Sequence, residues 1–252
     1  MNEAVKVALA KVPAVTLGFW LVKILATTLG ETAGDALTMT WFGETTDHPL
    51  FADGHWGYLY GTLILAIPLI VLVLAQIKAS KFNVALYWAT IIASTTAGTS
   101  LADFCTRFLG EGTAASYLLG SVVLLACVLI SLFVWRKVMG TIAVESVCDP
   151  KTETFYWITI TFSQTLGTAL GDWTADTHVG GVPLGFMWGA IFFAVLLLVV
   201  ALLYFKTAIS LAGLFWAAFI LTRPLASLAL LAAIVALLVA MPQRAAKAGE
   251  GH

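Results

Sequence analysis

A small set of ionisable and hydroxyl side chains recurs inside otherwise apolar stretches of this sequence. Thr27, Thr28, Glu31 and Asp35 share one such stretch. At 3.6 residues per turn they fall within an arc of roughly 100° and would form one polar stripe on a helix. Thr95 and Thr96 precede Asp103, and Gln164 and Thr165 precede Asp172, in the same order; Asp176 follows one turn later. Carboxylate, hydroxyl and amide oxygens are hard donors, suited to Mg²⁺, Ca²⁺, Mn²⁺ or protons rather than to a soft metal. Glu31, Asp35, Asp103 and Asp172 are the candidate metal donors, and the residues named so far are the candidate lining of a cation path. Lys23 and Arg223 lie in comparable apolar surroundings and would serve as counter-charges.

The stretches that must position these groups are suited to lipid. The chain is 60% hydrophobic and 11% charged, against about 25% charged in soluble domains. Apolar runs at 57–76, 116–134 and 184–205 have the roughly 20 residues that a helix needs to span a bilayer core. A charge placed there costs about 2.5–3.5 kcal/mol on insertion scales, so each embedded ionisable residue is a functional candidate. Met1 to Val12 does not read as a cleaved signal peptide. Cys105, Cys127 and Cys148 are scattered and form no CxxC, so neither a structural disulfide nor a thiolate metal site is expected.

An internal repeat organises the whole. Phe19-Trp20 leads to Thr27-Thr28, Gly30, Gly34 and Asp35; Tyr87-Trp88 leads to Thr95-Thr96, Gly98, Ala102 and Asp103; Tyr156-Trp157 leads to Gln164-Thr165, Gly167, Gly171 and Asp172, without a gap. A fourth copy opens at Phe215-Trp216 but carries Arg223-Pro224 and then Leu231 where the acid is due. The expected repeats are 13–78, 81–137, 151–206 and a degenerate 207–243, within a single transmembrane domain covering 1–252. Each unit holds a motif helix and a blander second helix, which gives an all-α protein of about eight spans with parallel repeats. Gly30 with Gly34, Gly98 with Ala102, and Gly167 with Gly171 make small-xxx-small edges for close helix packing. Motif helices are therefore expected inside and second helices outside. Lys and Arg cluster at the termini and between units, which predicts cytoplasmic N- and C-termini in a bacterial inner membrane.

These features point to a transporter or channel for a small inorganic cation, with a divalent ion the best match to the donor set. The alternative is a membrane scaffold or sensor whose buried charges only hold helices together. An anion path centred on Lys23 and Arg223 is disfavoured because acids outnumber bases. Enzyme motifs are missing, apart from the Gly34-Asp35 and Gly171-Asp172 pairs that superficially suggest a membrane aspartyl hydrolase. Asp176 with His178 offers only a weak zinc spacing. No cofactor beyond a bound divalent cation is expected. The partners would be the lipid bilayer and a small ion, with no nucleic acid and with oligomerisation left open.

The run Lys11-Val12-Pro13-Ala14-Val15-Thr16 through Phe19-Trp20, Lys23 and Thr27-Thr28-Leu29-Gly30-Glu31-Thr32-Ala33-Gly34-Asp35, together with Leu221-Thr222-Arg223-Pro224-Leu225, resembles a family of bacterial polytopic proteins described as uncharacterised and membrane-anchored. The resemblance covers nearly the whole chain and implies a membrane location without an activity. It also implies a further Gly-Asp after residue 225, where this chain has Ala226 to Ala229 instead.

Overall fold

The computed structural model describes residues 10–46, 50, 56–108, 114–176, 182, 184–207 and 210–224. Among them are seven α-helices and no strand: α1 (Leu17–Asp35), α2 (Trp56–Lys78), α3 (Val84–Asp103), α4 (Ala114–Met139), α5 (Pro150–Ala175), α6 (Gly185–Lys206) and α7 (Leu211–Leu221). Helices α1, α3, α5 and α7 are the motif helices. Each begins at a side chain able to accept from a free backbone N–H: Thr16 from Phe19, Asn83 from Leu86, Asp149 from Lys151 and Thr152, and Ser210 from Gly213. Asp149 and Thr152 complete a reciprocal capping box, with Pro150 at the first helical position.

The acids sit where regular helix stops. α1 gives way after Asp35 to a π-helical turn, Ala36–Trp41, and α3 does the same after Asp103, at Phe104–Phe108. Such turns are rare and concentrate at functional sites. α5 instead continues as α-helix to Ala175. α7 stops at Leu221, and Thr222 to Pro224 form a turn where the sequence predicted a hairpin. The second helix expected after that turn lies outside the described residues.

Three helices, Trp56–Lys78, Ala115–Met139 and Met187–Lys206, are long and apolar enough to cross a membrane. They are the second helices of the first three copies, and each packs against the motif helix of the following copy: α2 on α3, α4 on α5 and α6 on α7. Hydroxyl pairs tie the first two of these contacts. Thr62 donates to Ser100 at 3.1 Å, and Thr159 to Ser131 at 3.1 Å. The outward faces of the second helices are apolar, with Leu63, Ile67, Leu119, Ile130, Phe133, Met187, Trp188 and Val195 all exposed.

Motif helices pack on one another through the small residues. A Cβ built on Gly30 would lie 2.6 Å from Thr95 Cβ on α3, and one on Gly167 would lie 2.5 Å from Arg223 Cβ beyond α7. On Gly98 it would meet Thr165 of α5 at 3.0 Å. The same glycine of each copy thus receives the polar pair of the next, which is the inner packing that the sequence predicted.

Candidate functional site

Side chains four residues apart along each motif helix face a common centre, and their chemistry changes in steps along it. At one end stand Phe19, Tyr87, Tyr156 and Phe215, all buried. Each packs at a tilt against the tryptophan of another copy: Phe19 against Trp88 with 5.7 Å between ring centroids, Tyr87 against Trp157 at 5.6 Å, Tyr156 against Trp216 at 6.2 Å and Phe215 against Trp20 at 5.8 Å. Four such contacts close a ring through all four motif helices and seal this end with carbon. The Tyr87 and Tyr156 hydroxyls share a hydrogen bond within it. Below the ring, Val12, Val144 and Val147 join the same apolar cluster, and Lys11 Nζ lies 2.6 Å from Glu153 Oε1.

The next layer is Lys23, Ile91, Ile160 and Phe219, every one of them fully buried. Lys23 Nζ donates to the Phe219 carbonyl at 3.1 Å and to Thr222 Oγ1 at 2.6 Å, and lies 4.5 Å from the Phe219 ring centroid. Then come Thr27, Thr95, Gln164 and Arg223, again all buried. Gln164 Nε2 donates to Thr95 Oγ1 at 2.9 Å. Arg223 reaches from the fourth copy to each of the other three: Nη1 to the Thr27 carbonyl at 3.1 Å, Nη2 to Thr99 Oγ1 at 2.6 Å, and Nε and Nη2 to Thr168 Oγ1 at 3.0 and 2.7 Å.

Beyond Arg223 the centre turns acidic and opens. Glu31 occupies the position that Thr99 and Thr168 hold in their copies, and Asp35, Asp103 and Asp172 form the last layer. Glu31, Asp35 and Asp172 are only half-buried, whereas Asp103 is 1% exposed. Asp103 Oδ1 accepts from Arg107 Nε at 2.9 Å, while its Oδ2 is buried without a hydrogen-bond partner. Tyr117 donates to Asp176 at 2.8 Å, and the Arg107 guanidinium lies 5.8 Å from the Tyr117 ring centroid. A cavity of about 70 Å³ opens beside this layer, lined by Glu31, Thr168, Gly171, Asp172, Thr174 and Arg223 among others. It has room for a few water-sized spheres.

The sequence-predicted lining is thus brought together in part. Thr27, Thr95, Gln164, Asp103 and Asp172 face the centre, and Thr96 and Thr165 are buried at the helix contacts. Thr28 is exposed and donates to its own helix at the Ile24 carbonyl. Thr27, Thr96 and Thr165 likewise donate to carbonyls one turn back, which is the common fate of a helical threonine. Among the described residues no three His, Cys, Asp or Glu side chains lie close enough together to hold a metal ion. Glu31, Asp35, Asp103 and Asp172 therefore share an end of the bundle without forming a coordination sphere. Nor do the buried bases bridge the acids: among the described residues, Lys23 and Arg223 rest on neutral oxygens rather than on carboxylates.

Comparison with known proteins places these units. A family described as Repeat of Unknown Function (DUF347) matches residues 18–82, 86–139 and 155–210. The chain belongs to this family. The three DUF347 matches each open within one residue of an aromatic-Trp pair and run through the second helix, so they coincide with the first three copies read from the sequence. No curated protein and no solved structure matches the chain. Sequence reading had missed Thr99 and Thr168. Their signal was their alignment with Glu31 one turn before each acid.

Proposed function

We propose that this DUF347 protein is an integral membrane protein that carries or conducts a small inorganic cation through the centre of its four motif helices. Eight spans, with both termini cytoplasmic in a bacterial inner membrane, agree with the distribution of Lys and Arg. Support for the bilayer comes from the outward faces of α2, α4 and α6. They expose rows of large aliphatic and aromatic side chains, far more apolar surface than a water-soluble protein leaves uncovered.

The observation that carries the transport reading is the layer of Asp35, Asp103 and Asp172, in which Asp103 Oδ2 is buried without a hydrogen-bond partner while Oδ1 pairs with Arg107. Asp172 of this layer lines the cavity together with Glu31 and Arg223. Among the described residues, Arg107 answers only one of these three carboxylates, and acids gathered in a low-dielectric setting favour a further cation or a proton. Hard oxygen donors suit Mn²⁺, Mg²⁺ or Ca²⁺. Binding such an ion requires the acids to approach more closely than they stand here.

The test is Mn²⁺ entry into proteoliposomes, read by quenching of an encapsulated dye. Asp35→Asn and Asp172→Asn should remove entry while the protein keeps its helical content. Unchanged entry in both variants sinks the reading. A scaffold is the second reading, favoured by the way Arg223 ties all four motif helices. It requires the same two changes to lower thermal stability with no effect of Mn²⁺.

A further inference from the structure

We infer that Arg223 is a tethered cation that occludes the path: its guanidinium fills the oxygen-lined centre that a cargo ion must cross, and must leave that seat for the ion to pass. This rests on the transport reading and adds a polar constriction on the acidic side of the aromatic seal. The place it fills is built by the other three copies, from the Thr27 carbonyl and the Thr99 and Thr168 hydroxyls. These are the neutral acceptors that a desolvated cation needs. Arg223 is itself 2% exposed. Nothing larger than glycine at position 167 leaves space for it, because a Cβ there would stand 2.5 and 2.7 Å from the Arg223 Cβ and Cγ.

The second seat is visible beside the first. Glu31 and Asp172 line the same cavity as Arg223, yet among the described residues the guanidinium pairs with neither. These carboxylates offer the guanidinium a second set of acceptors, and a cation held at them would oppose that move and keep Arg223 on its hydroxyls. Lys23 holds the neighbouring Thr222 from the sealed side at 2.6 Å. The backbone at the base of the arginine is therefore anchored, and the movement falls to its side chain.

Arg223→Gln and the double change Thr99→Val with Thr168→Val test this in proteoliposomes, with Mn²⁺ as the probe at a fixed gradient. Each should raise Mn²⁺ entry by roughly tenfold or more, the shift expected when one charge-assisted hydrogen bond is lost, and adding Asp172→Asn should cancel the gain. An arginine that is merely structural gives lower entry and lower stability, never a gain. If wild-type entry depends on Asp172 and neither variant exceeds it, the occlusion is wrong and the transport reading stands. If no form passes Mn²⁺, both are wrong. The threonine variants keep Arg223, so they decide the matter even where Arg223→Gln does not fold.

Discussion

The hydroxyls of Tyr87 and Tyr156 meet at 2.5 Å inside the sealed end of the bundle, although 69 residues separate them. They hold the same position in successive copies, so one hydrogen bond joins two motif helices across a ring that is otherwise carbon.

Removing one hydroxyl strands the other. Tyr87→Phe or Tyr156→Phe alone should lower stability by about 1–3 kcal/mol, while the double change should recover much of that loss, because no buried polar atom is then left without a partner. A denaturation cycle on the four proteins in detergent measures this. Additive losses would mean that the two hydroxyls act independently.

Gly167 and Gly18 lie on motif helices in opposite settings. A Cβ on Gly167 collides with Arg223, whereas one on the exposed Gly18 comes no nearer than 3.6 Å to Thr16 Oγ1. Gly167→Ala should therefore cost about 1–3 kcal/mol by overpacking, and Gly18→Ala should be neutral or slightly stabilising. Melting temperatures of the two variants, compared side by side, check the contrast.

Lys11 neutralises Glu153 beneath the aromatic ring, where the two side chains are 10% and 2% exposed. Lys11→Met leaves a buried carboxylate alone and should cost about 3 kcal/mol, with partial recovery on adding Glu153→Gln. Equal stability of Lys11→Met and the wild type, by thermal unfolding, would contradict a buried pair.

The stepwise chemistry of the centre sets the order in which water reaches it. In a background with Cys105, Cys127 and Cys148 replaced, a single cysteine at position 35 or 172 should react readily with a membrane-impermeant thiol reagent. At position 99 the reaction should be slow, and at position 87 absent. Mass spectrometry of the labelled protein reads the sequence of rates, and labelling at 87 as fast as at 172 would contradict a sealed aromatic end.

Much of this was legible in the residues, because the first three copies align without a gap and small residues mark the inner face of each motif helix. The alignment placed Asp35, Asp103 and Asp172 in one layer and Gly30, Gly98 and Gly167 in another. Other features needed contacts between copies. The aromatic-Trp pairs pack on one another between copies, and nothing within one copy announces that these contacts close into a ring from Phe215 back to Trp20. Thr28 fits the polar arc of an isolated helix, but the neighbouring motif helices take up the adjacent face and leave it outside. The π-helical turns after Asp35 and Asp103 have no clear signature in residue type. Lys23 appeared as an isolated charge because Ile91, Ile160 and Phe219, its counterparts, are apolar.

The second helices of the first two copies, α2 and α4, lean on the motif helix of the next copy, whereas α6 packs on α5 and α7 alike. The unit that was duplicated in sequence and the unit that packs in space are thus out of phase by one helix. A break between the two helices of either of the first two copies keeps the α2–α3 and α4–α5 pairs whole, whereas a break between copies one and two or two and three divides one of them. Two separately made pieces of this protein should therefore reassemble best when the cut falls inside one of the first two repeats.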